Sequence, residues 1–545
     1  MTSTAHDYDY LIIGSGFGGA VSALRLAEKG WRVGVLEQGR RIGPAEIRKA
    51  KQAPLRNFHW QPALGAQGYF WQRMFGHVGV IGGVGVGGGS LVWGAVMLPP
   101  KPRFYAAPVW QELGIDMQAE LAPHLDTARR MLGVRENPGH GRQDDWLRET
   151  AAAMGAGASW GKVPQAIHFG ATPATPVADP YFEGEGPART SCRYCGGCLA
   201  GCEYGSKNSL DYNYLWLAER RGVRIHTQTR ACRITPLSDG GYAVETDTVG
   251  AGGRGRVSAT RLIVAAGVLG TLELLLRARD VDRTLPHIST QCGAMVRTNS
   301  EALTAVLTRD PHVDLQSDGA AISSDFYVDG HTHITQNRIA DALGVLRLMY
   351  APMTDGAVRW RRVLATLGML LRPAHWQALF ARRWTKRITT LTVMQDDDSG
   401  IGLRLARSRL RPWRRVLVST PPADGALAPS YLPVANAATR AYAQAADGIA
   451  LSSLQEALGG KAVTAHILGG CPMGGSAATG VINADHEVHG HPGLFVVDAA
   501  AVPANLGVNP SLTIAALAER FAARQPRGPG TVSESLSRAS EPSSA

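Results

Sequence analysis

Tyr8-Asp9-Tyr10-Leu11-Ile12-Ile13-Gly14-Ser15-Gly16-Phe17-Gly18-Gly19 is the stretch whose reading sets the fold class of this chain. The six residues through Ile13 read as a buried strand, a short apolar run ended by glycines. Residues 20–29 read as a helix with Val21, Leu24 and Leu26 at apolar positions, and Gly30 stops it. Residues 31–36 read as a second strand, and Glu37 ends it. Each part has a physical task. Gly14 permits the tight turn, Gly16 lets the backbone approach a pyrophosphate, and Gly19 lets the helix pack closely on the strand. The helix N-terminus, reached through Phe17 and Gly18, offers N–H groups and the positive end of its dipole to phosphates. Glu37 stands where an acid hydrogen-bonds ribose hydroxyls. The unit implies a bound dinucleotide, and by itself it does not choose between NAD and FAD.

Moving outward, residues 79–94 read Gly-Val-Ile-Gly-Gly-Val-Gly-Val-Gly-Gly-Gly-Ser-Leu-Val-Trp-Gly. So many glycines are expected to form neither an ordinary helix nor a strand interior. They suit a backbone that passes close to a large planar ligand. A flexible linker would be less apolar than Val80, Ile81, Val84, Val86, Leu91 and Val92 make this segment. Residues 261–267 read as a return strand followed by a helix over 268–277. Residues 493–499 read as a strand ending at Asp498 and Ala499, and Asn509-Pro510 leads into a helix over 511–524.

Together, Gly-Val-Gly-Gly-Gly-Ser-Leu-Val-Trp-Gly (85–94), His-Ile-Leu-Gly-Gly-Cys-Pro-Met-Gly (466–474) and the segment from Leu494 to Arg520 resemble the glucose–methanol–choline (GMC) oxidoreductase family, in its cholesterol-oxidase-like branch. The resemblance covers the first 100 residues, roughly 190–300 and 460–525. It implies an α/β fold with a discontinuous Rossmann-type FAD-binding domain, formed by residues 1–105, 190–300 and 456–524. An α+β substrate domain and cap on an antiparallel sheet would take 106–189 and 301–455. By the same resemblance the flavin lies against Gly89, Trp93, Gly94 and Val96, the adenine meets the backbone near Ala231, and Asp498 and Ala499 lie by the ribityl phosphate. The helix starting at Ser511 would aim its positive end at the flavin N1–C2=O edge, where negative charge develops. No histidine stands in the glycine loop to bond the flavin, so non-covalent FAD is expected.

The resemblance places His466 and Asn509 at the catalytic positions. A histidine suits proton transfer because it titrates near neutrality and one ring nitrogen can accept while the other donates. Asn509 would supply an uncharged donor. The bland alternatives are a structural core histidine and a helix N-cap. His168, His226, His331, His333 and His489 lack comparable context and read as structural or surface residues. Two departures from the branch stand out. Its catalytic glutamate has no counterpart in 385–405, which contains Gln395-Asp396-Asp397-Asp398, or in 336–357, and its flavin-ring asparagine is replaced by Trp93.

Seven cysteines are present, and four fall at Cys192, Cys195, Cys198 and Cys202, a spacing like that of bacterial ferredoxins. Glycines at 196, 197 and 201 would let the chain wrap an iron–sulfur cluster. Zinc, disulfides or buried free thiols are the other readings. Within the substrate region, 322–328 and 388–394 read as strands. Residues 359–387 carry eight Arg or Lys, no acid, and Trp360, Trp376 and Trp384 among aliphatic residues. That pattern describes an interfacial membrane helix divided by Pro373, or a helical flap with arginines in solvent.

The whole chain has 545 residues, 45% hydrophobic and 19% charged, so it folds and exceeds what one core serves. Its net charge of +11 could draw nucleic acid, anionic lipid or an acidic partner, but no nucleic-acid motif is present. Residues 1–10 are polar and lead straight into a strand, no long apolar run occurs, and the tail over 525–545 is rich in Ser, Pro and Gly and expected to be disordered. A cytoplasmic location, with peripheral contact on the inner membrane surface through 359–387, follows. The leading expectation is oxidation of the CH–OH of a hydrophobic alcohol such as a sterol, with oxygen or a partner as electron acceptor. The alternatives are a dehydrogenase passing electrons through a cysteine-bound cluster, a non-redox flavin lyase, and a membrane-associated electron carrier.

Overall fold

Residues 6–529, apart from 357, 372, 410 and 424, are described by a computed structural model. The strand Tyr8–Ile13 lies between two parallel neighbours, Val33–Leu36 and Arg254–Val264. Outside Val33–Leu36 a further parallel strand, Arg224–His226, closes that side of the sheet. The long strand Arg254–Val264 is shared. Its first half pairs antiparallel with Tyr242–Thr248, and its last three residues pair parallel with Leu494–Val496. Val33–Leu36 and Leu494–Val496 are buried at every position, as strands covered on both faces must be.

Two helices cover one face, Phe17–Glu28 and Ser511–Arg524. The second has the bounds expected from sequence. The first begins at Phe17 rather than at residue 20, so Gly18 and Gly19 lie inside its first turn. The reason is steric. A Cβ on Gly18 would stand 1.7 Å from the carbonyl oxygen of Val497, and one on Gly19 would stand 2.0 Å from that of Gly14. The glycines let the helix start directly against the strand ends.

The second large sheet is antiparallel throughout. Its order is Tyr350–Pro352, Gly448–Ser453, Ala302–Thr308, Ile388–Gln395, Thr332–Arg338, Ser324–Tyr327 and the short strand Gly161–Lys162. The chain is therefore a mixed α/β protein of the class expected. The helix Pro433–Ala445 packs on this sheet and shares a core with Leu391, Val393 and Phe326.

One expectation is corrected here. The glycine-rich segment does form a strand in part, Val78–Gly83, the middle member of a three-stranded sheet between Phe70–Met74 and Ala462–Thr464. The cross-strand Trp71 ring covers Gly82 and the Met74 side chain covers Gly79. Neighbouring side chains thus supply the packing the glycines lack. Pro373 divides the basic segment as expected, into Arg359–Leu370 and Pro373–Leu379, with a short helix Trp384–Arg387 after them. Among the described residues no helix is long and apolar enough to cross a membrane. Of the tail, 530–545 lies outside the described residues. Its beginning is held: Tyr10 Oη donates to Gln525 Oε1 at 3.1 Å, Trp31 Nε1 to the Pro526 carbonyl at 2.9 Å, and the Gly528 N–H to the Lys29 carbonyl at 2.7 Å.

Candidate active site

The groove begins at the C-terminal ends of the parallel strands, where open α/β sheets bind ligands. Gly14 turns the chain there with φ of 102°, a left-handed conformation that a side chain would strain. A Cβ on Gly16 or on Gly89 would meet no protein atom within 4 Å, whereas one on Gly88 would stand 2.9 Å from Gly16 Cα. The two glycine loops therefore come together and leave a slot beside them. Glu37 closes one end. Its Oε2 accepts from Ser15 N at 3.2 Å and Ser15 Oγ at 2.7 Å, and its Oε1 accepts from Gly39 N at 2.8 Å. Burial pushes this carboxyl up. Ser15 Oγ also accepts from Gly87 N at 3.1 Å, which ties the second glycine loop to the first.

Ala231 lies in the strand Thr229–Pro236, at an irregularity in its pairing, and Thr229 N donates to the Glu37 carbonyl at 2.9 Å. Asp498 is buried and accepts from Gly267 N, Thr271 Oγ1 and Ala500 N. Burial pushes its carboxyl up to about 6. Ala499 follows it. The slot at Gly16 and Gly89, the helix N-terminus at Phe17 and the buried acid Glu37 after the second strand together fit a dinucleotide. The slot is space that a Cβ on either glycine would occupy.

Further along, the ring of Trp93 packs edge-on against Phe17 with centroids 4.9 Å apart. Gly94 and Val96 are turned toward the second sheet. A Cβ on Gly94 would strike Ile322 Cδ1 at 2.4 Å, and Val96 shares a small core with Val163 and Ile322. Any contact these two make with a ring in the groove comes from their backbone. The loop is braced from below by Lys207, fully buried, whose Nζ donates to the carbonyls of Leu91 at 2.9 Å, Trp93 at 3.3 Å and Cys198 at 2.7 Å.

His466 follows the strand Ala462–Thr464, and Asn509 stands before Pro510 and the helix that begins at Ser511. The fold brings them together: Asn509 Nδ2 is 3.3 Å from His466 Nε2. The other ring nitrogen, Nδ1, is 3.1 Å from Glu301 Oε2. Sequence reasoning missed Glu301, having searched for an acid only in 336–357 and 385–405. No sequence signal marks it: only the fold shows that this acid follows a left-handed turn, with Asn299 at φ 57° and Ser300 at φ 39°, just before the strand Ala302–Thr308. Asn299 holds the Asn509 loop: its Oδ1 accepts from Leu506 N and Gly507 N, and its Nδ2 donates to the Val508 carbonyl. Of the histidines read as structural or surface residues, His333 is buried on Asp325 and His331 pairs with Asp396.

All seven cysteines are free. Cys192, Cys195, Cys198 and Cys202 line one small cavity with Lys51 and Lys207. Yet among the described residues no three of His, Cys, Asp or Glu stand in metal-binding geometry, so the iron–sulfur expectation finds no support. Burial pushes the Cys195 thiol up and the Cys198 thiol up to about 11, which keeps both protonated near neutrality.

Comparison with known proteins agrees with this geometry. Residues 9–363 match the FAD dependent oxidoreductase family, and residues 391–518 match the GMC oxidoreductase family. A cholesterol oxidase of Mycobacterium tuberculosis is 41% identical over 537 residues, covering 95% of this chain and 91% of its own. A cholesterol oxidase of Acinetobacter baumannii is 38% identical, covering 95% and 94%. A long-chain-alcohol oxidase of Arabidopsis thaliana is 24% identical, covering 93% of this chain and 65% of its own. Among solved structures, a pyridoxine 4-oxidase shares the fold with a TM-score of 0.61 at 16% identity, covering 94% of this chain and 98% of its own. With a relative this similar over nearly its full length, the chain belongs to the GMC oxidoreductase family of FAD-dependent alcohol oxidoreductases.

Proposed function

We propose that this enzyme oxidises the CH–OH group of a hydrophobic alcohol, best a sterol, with non-covalent FAD as hydride acceptor and oxygen as final acceptor. The carrying observation is the His466–Asn509 pair, brought side by side just ahead of the helix that begins at Ser511. The sterol assignment rests on the two cholesterol oxidases that share about two-fifths of this sequence. The same reading assigns 1–105, 190–300 and 456–524 to the cofactor and 106–189 with 301–455 to the substrate.

FAD, when bound, supplies a two-electron acceptor for the carbinol hydrogen. Gly14, Gly16, Phe17, Gly18, Gly19, Glu37 and Ala231 would hold its adenosine and pyrophosphate half. Gly89, Trp93, Gly94, Val96, Asp498, Ala499 and the Ser511 helix start would hold the rest. His466 Nε2 takes the hydroxyl proton as the C–H bond breaks, and the Asn509 amide orients the oxygen. The positive end of the helix Ser511–Arg524 favours negative charge developing on that side.

Anaerobic mixing of the holoenzyme with cholesterol and a panel of simpler alcohols tests this. Cholesterol should bleach the flavin absorbance fastest, and His466→Ala should slow bleaching about 10²–10⁴-fold. Product formed with the flavin still oxidised would mean a lyase. Bleaching at an unchanged rate in His466→Ala would remove His466 from the chemistry. Hydrogen peroxide in one-to-one yield on adding oxygen separates an oxidase from a dehydrogenase.

The surface supports a lipid-borne substrate. The helix Arg359–Leu370 is inside out. Trp360, Leu364, Leu367 and the following Leu371 form one stripe at helical spacing and are exposed, Leu371 by 85%. Arg362 is buried instead, donating to the Gly356 carbonyl and lying over the Tyr431 ring. Trp376 and the neighbouring Phe380 stack and are also exposed. With Arg359, Arg361 and Arg382 on the same surface segment and no acid in 359–387, the partner that fits is an anionic bilayer surface, the inner leaflet of the membrane. Not every basic residue takes part, since Arg383 and Lys386 pair with Asp314.

A further inference from the structure

We infer that Glu301 is a positioning residue that fixes which nitrogen of His466 carries the proton. The inference deepens the proposed reaction and rests on His466 as its base.

The side chain of Glu301 is 1% exposed, and its Oε2 does three things at once. It accepts from Thr464 Oγ1 at 2.8 Å and from Ala465 N at 2.9 Å, so it is fastened to the segment that ends at His466. It also lies 3.1 Å from His466 Nδ1. Among the described residues Nδ1 makes no directed hydrogen bond, but a carboxylate can only accept, so the charge of Glu301 favours the hydrogen on the nitrogen beside it. The neutral ring holds one hydrogen, so Nε2 is left with its lone pair. That lone pair lies on the Asn509 side of the ring, 3.3 Å from the amide nitrogen. The base is thereby set in the form that can receive a hydroxyl proton. When the proton arrives, the ring becomes cationic, and the carboxylate behind it favours that charge.

The placement of Glu301 is over-determined. Two residues upstream, Asn299 N donates to Asn505 Oδ1 at 2.8 Å, and the Asn299 side chain holds Leu506, Gly507 and Val508. One short turn, 299–301, therefore aligns both partners: Asn299 sets the loop carrying Asn509, and Glu301 sets His466. The left-handed conformations of Asn299 and Ser300 are the local cost of that alignment. Glu301 does not itself address the substrate, because its engaged oxygen faces the far side of the imidazole.

Glu301→Gln tests this. The amide is isosteric but uncharged, and Ala465 N–H keeps its oxygen in place, so the pull that holds hydrogen on Nδ1 is lost and the imidazole's ordinary preference for hydrogen on Nε2 returns. Expected is a fall in kcat of about 10²–10⁴-fold with KM changed by less than about threefold. Glu301→Asp, which keeps the carboxylate, should recover at least tenfold of that loss. In the FAD-free protein, ¹⁵N-histidine NMR, with His466→Ala to assign the signal, should show hydrogen on Nδ1 in the natural chain and on Nε2 in Glu301→Gln. An unchanged tautomer, or an unchanged kcat in Glu301→Gln, overturns the inference. If His466→Ala itself leaves flavin reduction unchanged, the proposed base fails while the tautomer result still decides the role of Glu301.

Discussion

Lys207 is a buried cation held by three carbonyls beneath the glycine loop, with the Asp211 carboxylate close enough to act on its charge. Burial lowers its ammonium from the usual 10.5 to about 8, and the neighbouring thiols Cys198 and Cys202 act the other way. The sign of the consequence follows from proton counting. Between about pH 8 and 10.5 the unfolded chain keeps this proton while the folded chain releases it, so the lysine's contribution to stability rises with pH across that window. The buried thiols act oppositely, because Cys198 holds its proton to about 11 when folded and to about 9 when unfolded. From about pH 8 to 9 the two effects oppose each other, and comparison with Lys207→Met isolates the lysine's share. Urea unfolding of the FAD-free protein should show the natural chain gaining stability relative to Lys207→Met over that interval. A difference that stays flat with pH would mean that Lys207 is not titrating there. At this scale the sequence showed what motifs carry. His466 and Asn509 stood in recognisable strings, whereas Glu301 meets Ala465 from 164 positions away and no local pattern announces the pair.

Elements were legible where their pattern is set by their own residues. The strand–glycine–helix unit and the helix Ser511–Arg524 follow from period and punctuation alone. The strand Val78–Gly83 was not legible, because its packing is supplied by Trp71 and Met74 on the neighbouring strand. The helix Arg359–Leu370 had a readable composition but not a readable orientation, since only the fold shows that its apolar stripe faces outward and Arg362 inward. That orientation makes a sharp prediction. Replacing Trp360, Leu364 and Leu367 together by Ser removes the exposed stripe while leaving the buried side intact. Sedimentation with vesicles rich in anionic lipid should show binding by the natural chain, weakened by salt and at least tenfold weaker in the triple variant. Turnover of a detergent-dispersed alcohol should stay within about twofold. Equal binding by both proteins would sink the membrane reading, and a change from dimer to monomer in the variant would assign the stripe to a second copy instead.

Across the whole molecule, the groove is assembled from distant parts of the chain. Gly14–Gly19, Gly87–Gly89, Asp498 and Ser511 come from its beginning and its end, and residues Gln525–Gly528 return to Tyr10, Lys29 and Trp31. A ligand bound there clamps both termini to the same sheet, so its binding free energy adds to the stability of the fold. At FAD one hundred times its Kd the gain is about 2.7 kcal/mol. The glycines let cofactor binding be separated from folding. Gly16 has an ordinary φ of −69°, and a Cβ there meets only open space, so Gly16→Ala leaves the FAD-free fold unstrained. Its methyl instead enters the slot where the pyrophosphate would lie. Thermal unfolding should give FAD-free Gly16→Ala a Tm within about 1 °C of the natural chain, but with a much smaller rise on adding FAD. Gly18→Ala should behave differently, because its Cβ would collide with Val497 and lower the Tm even without FAD. If Gly16→Ala gained as much from FAD as the natural chain, the slot beside Gly16 would not be the place where the cofactor's phosphates bind.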